Sequence, residues 1–345
     1  MRKIGVFVAL ALVLASCKND NKAPDVSDIK VELTVKRFDN DFFSIDTGSL
    51  ETSLAALQQK YPEFLRLFLN NIAGVTDPEQ IRSFYASYRP VYDSAHKLYS
   101  DFDPVKSQLL QAFRYVRYYF PEYKLPATVI PVVGPMNSRE DLPRMANGEY
   151  TPNFIGPGLV GISLQFYLGS DFSFYRNQYF VNNVAPVYRS RRFAKEYITA
   201  DVMKLVTDDI YPDKSSRLPL IEQMVEKGKQ WWLLDKFLPG APDSVKTGYT
   251  ERQLEFCREN EGQIWASIIG NENLESQDPA TIQNYIGEAP FTQGIAPDVS
   301  PGNIGQWIGW QIVKKYAGKK SELKIGELLK ATPREIIEEA KYKPK

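Results

Sequence analysis

Residues 125–134 (LPATVIPVVG) and 158–168 (GLVGISLQFYL) decide the fold class of this chain. Both segments are rich in apolar and β-branched residues and are bounded by Pro or Gly, so they predict two short strands. Pro131 has no N–H to donate, which predicts an edge position or a bulge for the first of them. A third strand is predicted over residues 31–38 (VELTVKRF), where apolar and polar side chains alternate.

Helical patterns surround these strands. The dipeptides Asp77-Pro78 and Asp103-Pro104 each predict a helix start, because proline is favoured in the first turn. Apolar residues with a spacing of three to four predict further helices, over residues 50–60, 64–72, 187–211, 217–237, 250–269, 279–287 and 302–317, with two short ones at the end. The expected fold class is therefore α+β: a mostly helical domain over residues 30–345 with a small β-sheet.

The first seventeen residues resemble a bacterial lipoprotein signal. Arg2 and Lys3 precede an apolar run from Ile4 to Leu14, and Leu14-Ala15-Ser16-Cys17 fits a lipobox. The run is too short to span a membrane, so residues 1–16 are expected to be removed as a signal peptide. Cys17 would then carry covalent lipid, palmitate among its acyl chains, and no other cofactor is expected. The alternative is an ordinary secretory signal with a chance cysteine.

The lipobox predicts a location in the cell envelope, with the protein held to a membrane by lipid at Cys17, and the outer membrane is the expected one. Residues 17–29 are polar and are expected to form a tether. Whether the protein faces the periplasm or the cell surface is left open. Without Arg2 and Lys3 the chain has 40 basic and 42 acidic residues. This balance predicts no nucleic-acid partner.

Few side chains are candidates for chemistry. Cys257 has no cysteine partner in the mature chain besides Cys17, and burial as a small apolar residue is favoured. His96, the single histidine, is expected at the surface. Calcium ligation by Asp208, Asp209 and Asp298 is a weak alternative, because the spacing of a calcium-binding loop is missing. The arginines at 189, 191 and 192 are expected on a solvated face rather than in an anion site.

Several stretches together resemble one known family. The chain is similar to the B-type gliding-motility lipoproteins (the Gld family), and the resemblance is carried by Lys36–Phe43, Tyr119–Tyr123, Gly161–Gly169, Glu226–Lys229, Leu233–Lys236 and Gly305–Trp310. It implies a membrane-anchored lipoprotein required for gliding, whose partners are other envelope proteins of the gliding machinery.

That family is in turn similar to zinc-dependent peptidases of the zincin type, which implies a zincin-like fold. Zincins carry His-Glu-x-x-His on one helix and a further glutamate on the next, because residues four apart share a helix face. The best overlay places Ala200 and Lys204 at the histidine positions, Asp201 at the glutamate and Glu226 at the third ligand. An alternative frame uses residues 195, 196 and 199, and it contains no histidine either.

A chain with one histidine cannot build this zinc site, so no metal and no enzymatic activity are expected. Ala200 and Lys204 are expected opposite the apolar stripe of their helix, facing either a cleft or solvent, with Asp201 and Lys204 as an ion pair. Trp231 and Trp232 are adjacent and point in different directions, so a partner surface is a hypothesis beside core packing.

The leading expectation is a pseudoenzyme that acts in gliding through protein contacts. Two alternatives remain: an envelope hydrolase or peptidase, and a lipoprotein that binds glycans or peptides in the vestigial cleft. The direct partner and the step affected, motion or adhesin secretion, are left open.

Overall fold

The fold is described from a computed structural model, for residues 23–143, 145, 150–271, 274–320 and 323–344. The predicted signal peptide (1–16) and the predicted lipid attachment at Cys17 lie outside these residues. Within the predicted tether, residues 23–29 have no helix or strand, yet Val26 is buried. Packing therefore begins a few residues before the expected domain start.

The described residues form a mostly helical α+β structure with one small sheet, which confirms the predicted fold class at this level. The zincin-like fold remains a prediction. The strands are β1 (Thr34–Val35), β2 (Thr128–Val132), β3 (Asn153–Gly156) and β4 (Leu159–Ser163). Their order in the sheet is β1-β2-β4-β3, with β1, β2 and β4 parallel and β3 antiparallel to β4.

Strands β1, β2 and β4 lie within the three predicted segments, but each is shorter than predicted. The predicted edge position of Pro131 is wrong, because β2 lies between β1 and β4. However, β1 pairs only with Thr128 and Val129. The carbonyl of Val129 accepts from the N–H of Lys36 on the β1 side at 2.9 Å. Residues two apart share a side, so the nitrogen of Pro131 faces the space beyond the end of β1, where no N–H is needed.

Five α-helices lie between β1 and β2 in the described chain: α1 (Phe38–Phe42), α2 (Leu50–Lys60), α3 (Phe64–Leu67), α4 (Pro78–Leu98) and α5 (Asp103–Tyr119). A π-helical segment, Phe68–Ala73, continues α3. The predicted starts at Asp77-Pro78 and Asp103-Pro104 are confirmed. The Asp77 carboxylate caps α4 by accepting from the N–H groups of Glu79 and Gln80 at 2.9 Å.

The remaining helices follow the sheet. They are α6 (Gln178–Asn183), α7 (Val187–Ser190), α8 (Ile198–Ile210), α9 (Leu220–Phe237), α10 (Asp243–Thr247), α11 (Glu251–Glu259), α12 (Glu261–Asn271), α13 (Pro279–Ile286), α14 (Ile304–Gly318), α15 (Ile325–Lys330) and α16 (Pro333–Ala340). Short 3₁₀ turns lie at Arg139–Asp141, Leu164–Phe166, Ser173–Arg176 and Lys195–Tyr197. None of the helices within the described part of the chain is both long and apolar enough to cross a membrane.

The single helix predicted over residues 187–211 is wrong, because α7 ends at Ser190 and α8 begins at Ile198. At the break the carbonyl of Phe193 accepts from the N–H of Gly169 at 2.9 Å. This tertiary hydrogen bond takes the place of a helical one. The break turns the arginines that follow α7 away from a helix surface and toward the interior.

Helices α9 and α14 cross at very close range. A Cβ atom on Gly228 would lie 2.3 Å from the carbonyl carbon of Gly309, and one on Gly309 would lie 1.7 Å from the carbonyl oxygen of Met224. Only residues without a side chain permit this approach. Two of the stretches that carry the family resemblance, Glu226–Lys229 and Gly305–Trp310, therefore form one helix contact.

Candidate functional site: a cationic cleft

A cleft with a volume of about 130 Å³ lies where α8, α9 and the start of α14 meet. Further walls are formed by the segment Tyr150–Pro152, which leads into β3, and by residues 188–193, which belong to α7 and the turn after it. The loop between α13 and α14 contributes residues on both of its legs. The cleft thus combines segments from distant parts of the sequence, and no local pattern marks it.

Three arginines line this cleft, so their predicted position on a solvated face is wrong. Arg189 is 8 % exposed, and it donates a hydrogen bond to the carbonyl of Tyr150. Arg192 forms an ion pair with Glu288, and Nη1 of Arg189 lies 3.6 Å from Oε2 of the same carboxylate. Arg191 donates to the carbonyl of Gly248 at 2.6 Å and to Oε1 of Gln253 at 3.2 Å.

The charges of this cluster shift its pKa values in opposite directions. Burial lowers the pKa of Arg189, and the charge of Arg192 adds to that effect against the attraction of Glu288. Burial also lowers the pKa of Arg191, with Arg192 again contributing. Burial acts to raise the pKa of Glu288, but the charges of Arg192 and Arg189 outweigh it, so its pKa lies below the usual value.

Helix α8 brings Asp201 and Lys204 to the wall of the same cleft. Nζ of Lys204 lies 3.0 Å from Oδ1 of Asp201, which confirms the predicted ion pair. The hydroxyl of Tyr167 donates to the other oxygen of Asp201 at 3.1 Å and accepts from Nδ2 of Asn153 at 2.8 Å. The Asp201 carboxylate is thus held on both oxygens. This arrangement fixes its orientation.

The ionisable wall of the cleft carries a positive excess. Among the residues that the structure describes, Arg189, Arg191, Arg192 and Lys204 face it, against two acidic residues, Asp201 and Glu288, so their formal charge is +2.

Aromatic rings complete the cleft. The ring of Trp231 packs edge-on against those of Tyr249 and Trp310, with centroids 5.6 and 5.7 Å apart. The hydroxyl of Tyr249 lies 3.1 Å from the carbonyl oxygen of Gly302. Tyr249 therefore fixes one leg of the α13–α14 loop to the aromatic wall.

The residues predicted at the zincin positions do not all lie at one site in the structure. Lys204 and Asp201 line the cleft. For Lys204 this is one of the two expected orientations, a cleft or solvent, whereas Ala200 is buried and does not line the cleft. In the alternative frame, Lys195 and Glu196 are exposed, and Thr199 donates to Gln108 at 3.2 Å.

Glu226 does not join the other overlaid positions. Its carboxylate accepts from the hydroxyl of Tyr211 at 2.6 Å and pairs with Lys229 at 2.7 Å. Lys229 is 1 % exposed and also donates to the carbonyl of Ala331 at 2.8 Å. Glu226 thus belongs to a buried polar cluster that fastens the segment before α16 to α9. Glu226 does not line the cleft with Asp201 and Lys204.

Trp231 and Trp232 are each 6 % exposed, so neither lies on an open surface. Trp231 lines the cleft. The ring of Trp232 lies 4.7 Å from Nζ of Lys236, measured to the ring centroid. Their role at a partner surface stays a prediction. Helices α8, α14 and α16 all contact α9, which explains why adjacent tryptophans are both covered.

The other candidate residues lie elsewhere. His96 is exposed, with Nδ1 3.1 Å from Oδ1 of Asn40, as expected for a surface histidine. Cys257 is buried, and burial raises the pKa of its thiol to about 12, which agrees with an apolar role. The hydroxyl of Tyr123 donates to Asp209 at 2.7 Å, whereas Asp298 is exposed. In the described parts of the chain, no three His, Cys, Asp or Glu residues are grouped so as to hold a metal ion.

The fold and cleft together define an α+β protein with a charged, partly aromatic cleft. A family model described as gliding motility protein GldB matches residues 19–344. This match covers nearly the whole chain, and the chain therefore belongs to the GldB family of gliding motility proteins. No curated protein and no solved structure matches it.

Sequence reasoning missed the main features of the cleft. The Arg-Ser-Arg-Arg run at 189–192 was visible, but its partner Glu288 lies 96 residues further along. Tyr150 and Tyr249 carry no motif. The one available signal for a charged site was this arginine run at the end of a short helix, in a chain of balanced charge.

Proposed function

We propose that this protein is a lipid-anchored component of the gliding machinery that acts through contacts with other envelope proteins rather than by catalysis. Membership of the gliding motility family over residues 19–344 supports the process. The lipobox ending at Cys17 supports the anchor, and the outer membrane is the proposed location.

The observation that carries the non-enzymatic role is the ion pair between Lys204 and Asp201. On the proposed likeness to zincins, these residues would stand where a zincin has a metal-binding histidine and its catalytic glutamate. An ammonium group at a ligand position repels a dication, and Lys204 and Tyr167 already hold both oxygens of the carboxylate that would have to activate water. Glu226, the overlaid third ligand, is occupied by Tyr211 and Lys229.

The anchor is tested with Cys17→Ser in a gliding strain that lacks the native protein. The variant should lose incorporation of a clickable palmitate analogue, leave the membrane fraction and fail to restore gliding. Cys257→Ser is the matched control, because it removes the buried thiol and leaves the lipobox intact. Membrane attachment and normal gliding of Cys17→Ser would contradict the proposed anchor.

The absence of catalysis is tested on the acylated protein purified in detergent. It should contain less than one zinc per chain and show no chelator-sensitive cleavage of a peptide library. One tightly bound zinc per chain, together with cleavage that Glu226→Gln abolishes, would establish the peptidase alternative instead.

A further inference from the structure

We propose that the cationic cleft is a binding site for a small organic carboxylate with an apolar or aromatic body. This role goes beyond the proposed function, because contacts with envelope proteins do not require an occupied cleft. It rests on three features of the cleft: its charge, its walls and its size.

The positive charge of the cleft exceeds what its own carboxylates neutralise. Glu288 is shared between Arg192 and Arg189, and Asp201 is paired with Lys204. Arg191 directs its hydrogen bonds to two neutral oxygens, those of Gly248 and Gln253. A partly buried guanidinium beside other cations is unfavourable, and a bound anion relieves the repulsion.

The charge of the cleft admits a carboxylate or a phosphate, because a guanidinium fork accepts either anion. The cluster already pairs guanidinium groups with a carboxylate at Glu288. We therefore take a carboxylate as the ligand group, with phosphate as the competing anion in the test.

The walls and volume define the rest of the ligand. Trp231, Leu234 and Phe193 present apolar surface beside the arginines. The volume of about 130 Å³ is close to that of an engineered apolar cavity, about 150 Å³, that binds benzene. A single ring of that size therefore nearly fills the space beside Trp231, and an attached carboxylate would extend toward the arginines.

Glu288 is placed to compete with such a ligand. It lies at the start of the α13–α14 loop, whose two legs touch: a Cβ atom on Gly302 would lie 2.1 Å from the carbonyl oxygen of Ala289. An incoming carboxylate therefore meets arginines that are already paired with the carboxylate at the start of this loop. Removing the charge of Glu288 should strengthen binding, whereas removing that of Arg191 should weaken it.

The test uses the full-length acylated protein in detergent micelles, with benzoate and its uncharged isostere benzamide as probes in titration calorimetry. Benzoate should bind and benzamide should not. Arg191→Gln should weaken benzoate binding about tenfold or more, because a hydrogen bond to a charged group is lost. Glu288→Gln should tighten it. Arg176→Gln is the matched control, since it removes an exposed arginine outside the cleft.

Several outcomes would overturn the assignment: no binding of benzoate, equal binding of benzamide, or equal weakening by Arg176→Gln. Tighter binding of inorganic phosphate, or of glucuronate, than of benzoate would also overturn it, in favour of a phosphate or sugar-acid site. Circular dichroism shows whether Arg191→Gln is folded. If it is not, the tightening by Glu288→Gln decides the question, and unchanged or weaker binding there counts against the proposal.

Discussion

The aromatic core near the start of the chain and the cationic cleft are built in opposite ways. In the core, Phe38 is fully buried and its ring lies 4.7 to 5.0 Å from those of Tyr61, Phe64 and Phe68, centroid to centroid. In the cleft, buried space is shared by guanidinium groups, carboxylates and a few rings. The core is held together by the close packing of apolar rings, whereas the cleft is held together by contacts between charged groups. Close packing stabilises a fold, and charged groups in a concave site are typical of a region available to a ligand.

The largest effect is expected for Phe38→Ala in the aromatic core. The change removes a ring that touches several others and leaves a cavity, so the free energy of unfolding should fall by about 3–5 kcal/mol. Urea unfolding of the full-length protein, followed by circular dichroism, measures this change.

Phe291→Ala is the matched control for the core, because Phe291 is 37 % exposed and its truncation leaves no buried cavity. Its free energy of unfolding should change by less than about 1 kcal/mol. Equal losses in the two variants would show that the core does not contribute the stability assigned to it.

The same contrast explains which parts of the fold were predictable from the sequence. The core follows from local patterns: α4 and α5 were located from Asp-Pro starts and apolar spacing, and β2 and β4 from runs of β-branched residues. These signals exist because each element must bury one face. Their boundaries were less accurate, since β1 has two residues where eight were predicted.

The cleft was not predictable because tertiary contacts made it. The break between α7 and α8 depends on a hydrogen bond from Gly169 to Phe193, 24 positions along the chain, and the pairing of Arg192 depends on Glu288. Neither contact leaves a periodic trace in the sequence. The close crossing of α9 and α14 was likewise hidden, although its glycines, Gly228 and Gly309, stand inside stretches that carry the family resemblance.

An intermediate effect is expected for Glu288→Gln, and it should depend on pH. The folded-state pKa of Glu288 lies below its usual value of 4.5, because the charges of Arg192 and Arg189 outweigh burial. Its contribution to stability is therefore fully present above about pH 4.5 and is lost as the pH falls through the lowered folded-state pKa. The variant should lose about 1–2 kcal/mol at pH 7, since hydrogen bonds to a charged, partly exposed group are removed.

Urea unfolding at pH 7 and at successively lower pH measures this dependence. The difference between Glu288→Gln and the unaltered protein should shrink below pH 4.5. Glu63→Gln, which changes an exposed glutamate outside the cleft, should show neither the loss nor the pH dependence. A difference that stays constant down to acid pH would mean that the arginines do not depend on the charge of Glu288.

The smallest effect on stability is expected for Arg191→Gln. The variant loses hydrogen bonds to Gly248 and Gln253, but it also removes a partly buried cation that is repelled by Arg192. These terms oppose each other, so the free energy of unfolding should change by less than about 1 kcal/mol. Urea unfolding beside Phe38→Ala gives the direct comparison. A loss as large as that of Phe38→Ala would make Arg191 a structural residue like those of the core, whereas a small change leaves its charge to be explained by what the cleft binds.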